Sequence, residues 1–150
     1  MKEPWIANRG RADAENWKPD DNSVAISISE LGSGPARLSG EWFDVLRLQF
    51  QDWDSMPWPD GTARRFPKDA ILMTEAQAAQ VALFARVHRG RNILVHCSAG
   101  VSRSGGIVEA LLDAFPEYYD EGQRRFPNGH VKALTKRALG LVPIGATEVS

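Results

Sequence analysis

The feature that most constrains the fold is the stretch RNILVHCSAGVSRSGG at residues 91–106, in which an apolar run leads into a loop of small residues. A continuous apolar run this short is typical of a strand buried on both faces of a parallel sheet. The residues after the loop, SGGIVEALLDAF, have the pattern of a helix that Pro116 stops. Strand, loop and helix in this order indicate an α/β domain.

Four other segments show the patterns of regular structure. Strands are predicted at 23–29 (SVAISIS) and 44–50 (DVLRLQF), and helices at 74–90 (TEAQAAQVALFARVHRG) and 130–140 (HVKALTKRALG). Thr74 and Gln77 match a capping box at the start of the first of these helices. The order of elements predicts a single α/β domain with a central, mostly parallel sheet flanked by helices. Ligands bind beyond the carboxyl ends of the strands in such sheets, and Cys97 follows the carboxyl end of the predicted central strand.

The domain organisation follows from length and from the character of the first residues. A chain of 150 residues is typical of one domain. Residues 1–22 are mostly polar, with Trp5 and Trp17 among them. We therefore predict an N-terminal arm over 1–22, either flexible or packed on the domain through its tryptophans, and a folded domain over 23–150.

Composition narrows the range of partners and compartments. The formal net charge of −1 lacks the strongly basic balance of a dedicated nucleic-acid binder, so no nucleic-acid partner is expected. The chain has neither the apolar core of a signal peptide at its start nor an apolar run of about 20 residues, which argues against a membrane partner. The single cysteine, Cys97, excludes an intrachain disulfide, and a protein that uses a thiolate needs a reducing compartment, so we expect a cytoplasmic location. His88 and His130 lack neighbours with metal-ligand spacing, so neither a metal nor a cofactor is expected.

The loop after the apolar strand has the composition of an anion site. Its residues are mostly small: Ser98, Ala99, Gly100, Val101 and Ser102. A loop between a strand and a helix N-terminus collects unpaired backbone amides, which bind anions together with the helix dipole. Gly100 provides backbone angles that larger residues resist, which lets the amides converge. Arg103 follows the loop and has a planar guanidinium that matches two phosphate oxygens.

The same surroundings suit Cys97 for nucleophilic chemistry. Helix N-termini and nearby cations stabilise a thiolate, which is the reactive form of cysteine. His96 is predicted to support the cysteine backbone or the thiolate by a hydrogen bond, and Ser104 to donate its hydroxyl to the sulfur. The alternative is an inert buried thiol with Arg103 as a surface ion-pair residue. The combination of all four residues at a strand-to-helix junction favours the catalytic interpretation.

The motif HCSAGVSRS at residues 96–104 resembles the signature H-C-x5-R-[ST] of the cysteine-based protein tyrosine phosphatase superfamily. The form VHCxAGxSRS resembles the small dual-specificity branch, and the resemblance extends over roughly 23–139. It implies a phosphatase-type fold with a strand–phosphate loop–helix active site. It also implies a two-step reaction, in which the thiolate takes the phosphoryl group as a phosphocysteine that water then hydrolyses.

The resemblance further implies an aspartic acid on a separate upstream loop, which protonates the leaving oxygen and then activates the water. The family places this acid a few residues after the strand that precedes the long helix, which favours Asp52 and leaves Asp54 as the alternative. The predicted loop at 51–68 is unusually long for a small domain. Its tryptophans, Trp53 and Trp58, are interpreted either as packing anchors or as part of a pocket rim.

These observations predict a metal-independent phosphatase of phosphorylated protein, with phosphotyrosine as the expected substrate. One alternative keeps the chemistry and changes the phosphomonoester to a phosphoinositide or an RNA 5′ phosphate; the absence of Lys and Arg between Cys97 and Arg103 argues against it. A rhodanese-type sulfurtransferase or an arsenate reductase is disfavoured by the Cys-to-Arg spacing and by the position of the cysteine in the chain. A non-catalytic phosphate-binding pseudophosphatase is the alternative from a different class.

Overall fold

Every segment predicted to be regular forms a helix or strand in the computed structural model, which describes residues 3–141. The elements are β1 (Trp5–Gly10), α1 (Arg11–Glu15), β2 (Ser23–Ser29), β3 (Asp44–Gln49), α2 (Glu75–Val87), β4 (Asn92–Cys97), α3 (Arg103–Ala114), β5 (Tyr119–Asp120) and α4 (Gly129–Ala138). Residues 142–150, which belong to the predicted domain, and residues 1 and 2 of the predicted arm lie outside the described residues.

The strands form one parallel sheet in the order β3-β2-β4-β1-β5. The apolar run of β4 occupies the middle of this sheet, and every residue of β4 is buried. Val95 is in register with Ile26 of β2 on one side and with Asn8 of β1 on the other. The predicted single α/β domain with a central parallel sheet is therefore confirmed.

The structure differs from the prediction of an N-terminal arm, because β1 is an internal strand between β4 and β5. Ile6, Ala7 and Asn8 have no exposed surface. The segment lacks the alternation that marks a strand, since Asn8 stands where an apolar residue would be expected. Burial of Asn8 is tolerated because its side-chain amide donates a hydrogen bond to the carbonyl of Gly100, at 2.6 Å. Trp5 is the first residue of β1 and therefore part of the sheet, and its ring centroid lies 5.6 Å from that of Trp17.

The two faces of the sheet are covered differently. Alternate strand residues such as Ile6, Ile26 and Val95 pack with α2, α3 and α4 in the main core. The opposite face carries a smaller cluster in which Ala7 and Leu94 pack against Ala14 of α1, with four partly buried side chains around it: Trp5, Trp17, Leu38 and Trp42. None of the helices in residues 3–141 has the length and apolarity needed to cross a bilayer.

The parallel arrangement brings the carboxyl ends of three strands to one edge of the sheet. Gly10 at the end of β1 is in register with Cys97 at the end of β4, and β2 ends beside them at Ser29. The β4–α3 loop (98–102) therefore starts at the position where such sheets bind ligands.

Candidate active site

The β4–α3 loop packs directly against the end of β1, and Gly100 makes this possible. Its φ angle is +77°, in the left-handed region that favours glycine. A Cβ atom at this position would lie 2.2 Å from the backbone of both Arg9 and Gly10. Gly100 is therefore required both for the turn and for the close approach of the two backbones.

Bonds from outside the loop hold its carbonyl oxygens. The Arg11 amide donates to the Ser98 carbonyl (3.1 Å), and Asn8 Nδ2 (2.6 Å) and Gln123 Nε2 (3.1 Å) donate to the Gly100 carbonyl. Because the N–H and C=O of one peptide group point in opposite directions, the amides of Ala99 and Val101 point away from these partners. Within residues 3–141 neither amide has a hydrogen-bond acceptor. These two amides are thus available to an anion.

Cys97 is 2% exposed and lies at the base of this loop. Its Sγ atom lies 3.2 Å from Ser104 Oγ and accepts from the Gly100 amide at 3.3 Å. Both groups are donors that stabilise a thiolate. The structure thus places Ser104 beside the sulfur, in the position that the sequence motif predicts for it.

Arg103 is 3% exposed, and its guanidinium lies beneath the β4–α3 loop rather than at the surface. Its Nη1 donates to the Phe50 carbonyl (2.9 Å), and its Nη2 donates to Ser98 Oγ (3.2 Å) and to the Glu30 carboxylate (3.3 Å). Its Nε is buried and has no hydrogen-bond partner within the described residues. A buried, unpartnered donor on a cation is costly, and an anion bound at the loop would supply the acceptor that Nε lacks.

His96 lies in β4, directly before Cys97. It is fully buried, its Nε2 lies 2.6 Å from Ser27 Oγ, and its Nδ1 lies 3.4 Å from the Cys97 carbonyl oxygen. Burial lowers the pKa of the imidazole, so His96 is neutral near neutral pH. Arg47 Nη1 lies 3.4 Å from the same serine hydroxyl, which it reaches as a donor. His96 therefore holds the backbone of the cysteine and is unsuited to proton transfer with a ligand.

Asp52 lies beside the β4–α3 loop, in the β3–α2 loop (50–74). Its Oδ1 accepts from Ser102 Oγ at 2.7 Å and from Asn128 Nδ2 at 2.9 Å. The carboxyl group is exposed. An exposed carboxyl group at the mouth of the site is suitably placed for general acid chemistry.

Asp54, two residues later, has a different environment. Both of its oxygens accept backbone amides: Oδ1 from Met56 and His130, each at 2.9 Å, and Oδ2 from Gly129 at 2.8 Å. Arg64 lies 3.9 Å from Oδ2. Asp54 therefore fastens the β3–α2 loop to the start of α4, with both of its oxygens bonded to backbone amides.

A cleft of about 430 Å³ opens beside the β4–α3 loop. Its lining combines aromatic, basic and acidic residues: Asp52, Trp53, Asp54, Trp58, Arg64, Arg65, Val101, Ser102, Phe126, Pro127 and Asn128. The Arg64 guanidinium stacks on the Trp58 ring at 3.9 Å, and the Trp53 ring lies 6.4 Å from that of Phe66. Trp53 and Trp58 thus both pack against other residues of the β3–α2 loop and line the cleft.

Three residues at the site carry no motif that identifies them. Glu30 directly follows the carboxyl end of β2, at the same end of the sheet as Cys97, and that position is the signal that could identify it, whereas Asn8 lies within β1 and has no such signal. Asn128 precedes the predicted last helix, and its side chain accepts from the Val131 amide as an N-cap. That capping role is predictable, but its contact with Asp52 is not.

Comparisons with protein-family models, curated proteins and solved structures gave no match to this chain. Among residues 3–141, no group of three or more His, Cys, Asp or Glu side chains is arranged to hold a metal ion.

Proposed function

We propose that this chain is a cysteine-dependent phosphomonoester hydrolase, a protein tyrosine or dual-specificity phosphatase that works through a phosphocysteine intermediate without a metal. In this proposal β4, the β4–α3 loop and α3 form the strand–phosphate loop–helix unit of a phosphatase-type fold. The observation that carries it is the juxtaposition of the Cys97 thiol with free loop amides and with the buried, incompletely bonded guanidinium of Arg103.

The first step transfers the phosphoryl group to sulfur. The amides of the loop and the Arg103 guanidinium bind the non-bridging oxygens, which places the phosphorus above Cys97 Sγ. The thiolate forms the S–P bond as the P–O bond to the leaving group breaks. Asp52 gives its proton to the departing oxygen, so that an alcohol leaves.

The second step restores the enzyme. Asp52, now a carboxylate, accepts a proton from water while the water oxygen bonds to phosphorus. The S–P bond breaks, the electron pair returns to sulfur, and inorganic phosphate leaves. Ser104 Oγ, 3.2 Å from Sγ, donates a hydrogen bond to the thiolate as it forms.

The cleft supports an aryl phosphate as substrate, such as phosphotyrosine in a protein. Trp53, Trp58 and Phe126 offer apolar surface next to Asp52 and Ser102, where the leaving group would lie. The same chemistry on a phosphoinositide or an RNA 5′ phosphate is the second candidate. It is favoured by Arg65, an exposed cation in the lining of this cleft. The reactive thiolate fits a reducing location such as the cytoplasm.

The decisive experiment is hydrolysis of p-nitrophenyl phosphate in the presence of EDTA, with Cys97→Ser as the control. We expect turnover that the substitution abolishes, and a covalent phosphate on Cys97 detected by mass spectrometry after rapid quenching. Turnover that survives Cys97→Ser, or that requires added metal, contradicts the proposal. Binding of phosphate or vanadate without turnover would instead indicate a non-catalytic phosphate-binding module.

Substrate class is tested by comparing kcat/KM for phosphotyrosine peptides, phosphoserine peptides, a short-chain phosphoinositide and a 5′-phosphorylated RNA. We expect the phosphotyrosine peptides to react fastest. A preference for either polyanion would favour the second candidate, and the Arg65→Ala variant would then lose that preference.

A further inference from the structure

The side chain of Asn128 connects α4 to the carboxyl group of Asp52. It is 3% exposed, and its Oδ1 accepts from the Val131 amide at 3.1 Å as the cap of α4. Its Nδ2 donates to Asp52 Oδ1 and to the Trp53 carbonyl, both at 2.9 Å. Both ends of this amide are thus fully bonded, and its orientation is fixed by the helix cap.

The bonds to Asp52 are confined to one of its two oxygens. Oδ1 accepts from both Asn128 and Ser102, whereas Oδ2 has no donor among residues 3–141. An oxygen that accepts two hydrogen bonds is unsuited to carry a proton, so the protonated form of this carboxyl group has its hydrogen on Oδ2. The two donors therefore select which oxygen carries the transferable proton and fix the plane of the group.

We propose that Asn128 is a positioning residue for proton transfer by Asp52, an inference that rests on the phosphatase function proposed above. Asn128 acts through Asp52 rather than on the substrate, because its Nδ2 is bonded to Asp52 Oδ1 and to the Trp53 carbonyl. It holds the exposed Asp52 so that Oδ2 presents the proton to the leaving oxygen, and it restricts the rotation that an unbonded aspartate would have.

The surrounding contacts explain why the restraint acts through α4. Asp54 accepts the amides of Gly129 and His130, and Ser55 Oγ lies 2.6 Å from His130 Nδ1. These bonds fix the backbone of the β3–α2 loop against the start of α4, but none of them reaches the carboxyl group of Asp52. Among the α4 contacts, Asn128 makes that connection.

The test uses two neutral substitutions that keep the α4 cap, Asn128→Ser and Asn128→Thr, because Ser and Thr are both N-cap residues. Neither supplies an amide donor to Asp52. The measurement is kcat/KM for two esters with different leaving groups, p-nitrophenyl phosphate and phenyl phosphate. Nitrophenolate leaves readily without a proton, whereas phenolate depends on general acid assistance.

We expect the ratio of kcat/KM for phenyl phosphate to that for p-nitrophenyl phosphate to fall about tenfold in Asn128→Ser. The same substitution made in Asp52→Asn should leave the ratio unchanged, because no acid remains to be positioned. A matched control is Thr135→Val, which removes the 2.7 Å bond from Thr135 Oγ1 to the Val131 carbonyl inside α4 and the 3.9 Å contact with Met73 Sδ, and which breaks no hydrogen bond to Asp52 or Asn128. It should lower the melting temperature without altering the ratio.

Equal losses for both esters, or no loss for either, overturn the role of Asn128 while leaving the phosphatase intact. The absence of turnover in the unchanged protein removes the proposed function and this inference together. Melting curves of both Asn128 variants establish that they are folded, and the Asn128→Thr variant provides the ratio if Asn128→Ser unfolds.

Discussion

The β4–α3 loop and the β3–α2 loop meet at the same site but are held in different ways. The first is short and sits between a buried strand and a helix, with its carbonyls fixed by neighbouring segments and its following residue, Arg103, buried. The second is long and mostly exposed, and side-chain bonds to α4 hold the part that carries Asp52 and Asp54. Cys97, the proposed nucleophile, is therefore buried at the end of a central strand, whereas Asp52, the proposed acid, is exposed and is held by the side chains of Ser102 and Asn128.

This difference predicts that changes in the β4–α3 loop abolish the reaction and that changes in the β3–α2 loop reduce it. After Cys97→Ser, the largest effect is expected for Arg103→Lys, a change in the residue that directly follows the β4–α3 loop. A lysine ammonium cannot replace the guanidinium fork that bonds to the Phe50 carbonyl and, in the proposed mechanism, also binds the phosphate. We expect a loss in kcat/KM on the order of a thousandfold.

The measurement is steady-state hydrolysis of p-nitrophenyl phosphate, together with inhibition by inorganic phosphate, which should weaken in parallel. An Arg103→Lys variant that keeps more than about a tenth of the activity would show that the guanidinium is not an anion ligand.

The next effect separates the two aspartates. Asp52→Asn removes the transferable proton, and we expect kcat to fall about a hundredfold with little change in stability. Asp54→Asn puts an amide donor opposite backbone amides, and we expect the free energy of unfolding to fall by about 1–3 kcal/mol with a smaller loss of kcat.

Both variants are measured by hydrolysis of phenyl phosphate, whose leaving group depends on general acid assistance, and by urea unfolding. The reverse pattern, with the larger kinetic loss in Asp54→Asn and the larger stability loss in Asp52→Asn, would assign the acid to Asp54.

A smaller and more diagnostic effect is the dependence of the rate on pH. In the proposed mechanism Cys97 reacts as the thiolate and Asp52 as the acid, so the two groups act on opposite limbs of the pH–rate profile. We expect Asp52→Asn to flatten the alkaline limb of kcat plotted against pH, because no acid remains to be lost as the pH rises. An alkaline limb identical to that of the unchanged protein would be inconsistent with Asp52 as the acid.

The smallest effect concerns His96, which directly precedes the proposed nucleophile, Cys97. Burial holds the pKa of His96 below its usual value, so the unfolded chain takes up a proton that the folded chain does not. Stability is therefore full above the unfolded-state pKa and is lost as pH falls through about 6.5, with a slope of at most about 1.4 kcal/mol per pH unit. Urea unfolding of the unchanged protein and of His96→Asn measures this; an identical pH dependence in both would exclude His96 as its source.

The same difference between the two loops explains which parts of the site can be predicted from the sequence. The strand, loop and helix around Cys97 are contiguous, so their local patterns identify them and place Arg103, Ser104 and His96 with them. Asp52 and Asp54 are both identifiable as candidates, but their different environments arise from α4, more than 70 positions away in the chain. Asn128 shows a capping signal, and nothing local indicates which carboxyl group it reaches.

The strand β1 is the clearest example of a feature that local pattern misses. Its central residue, Asn8, is polar and buried because its partner is the Gly100 carbonyl, 92 positions away. A pattern based on alternation has no means to detect such a partner, and the polar composition of the segment therefore predicts an arm.

The internal position of β1 has a practical consequence for work with fragments. A fragment that starts at residue 23, the boundary suggested by composition, would leave one side of β4 without its neighbour. The exposed row of backbone donors and acceptors would be open to strands from other molecules, which is a common cause of aggregation. The turn at Gly100 would also lose the backbone of Arg9 and Gly10, against which it packs. Expression trials and affinity-tag designs should therefore keep the first ten residues intact.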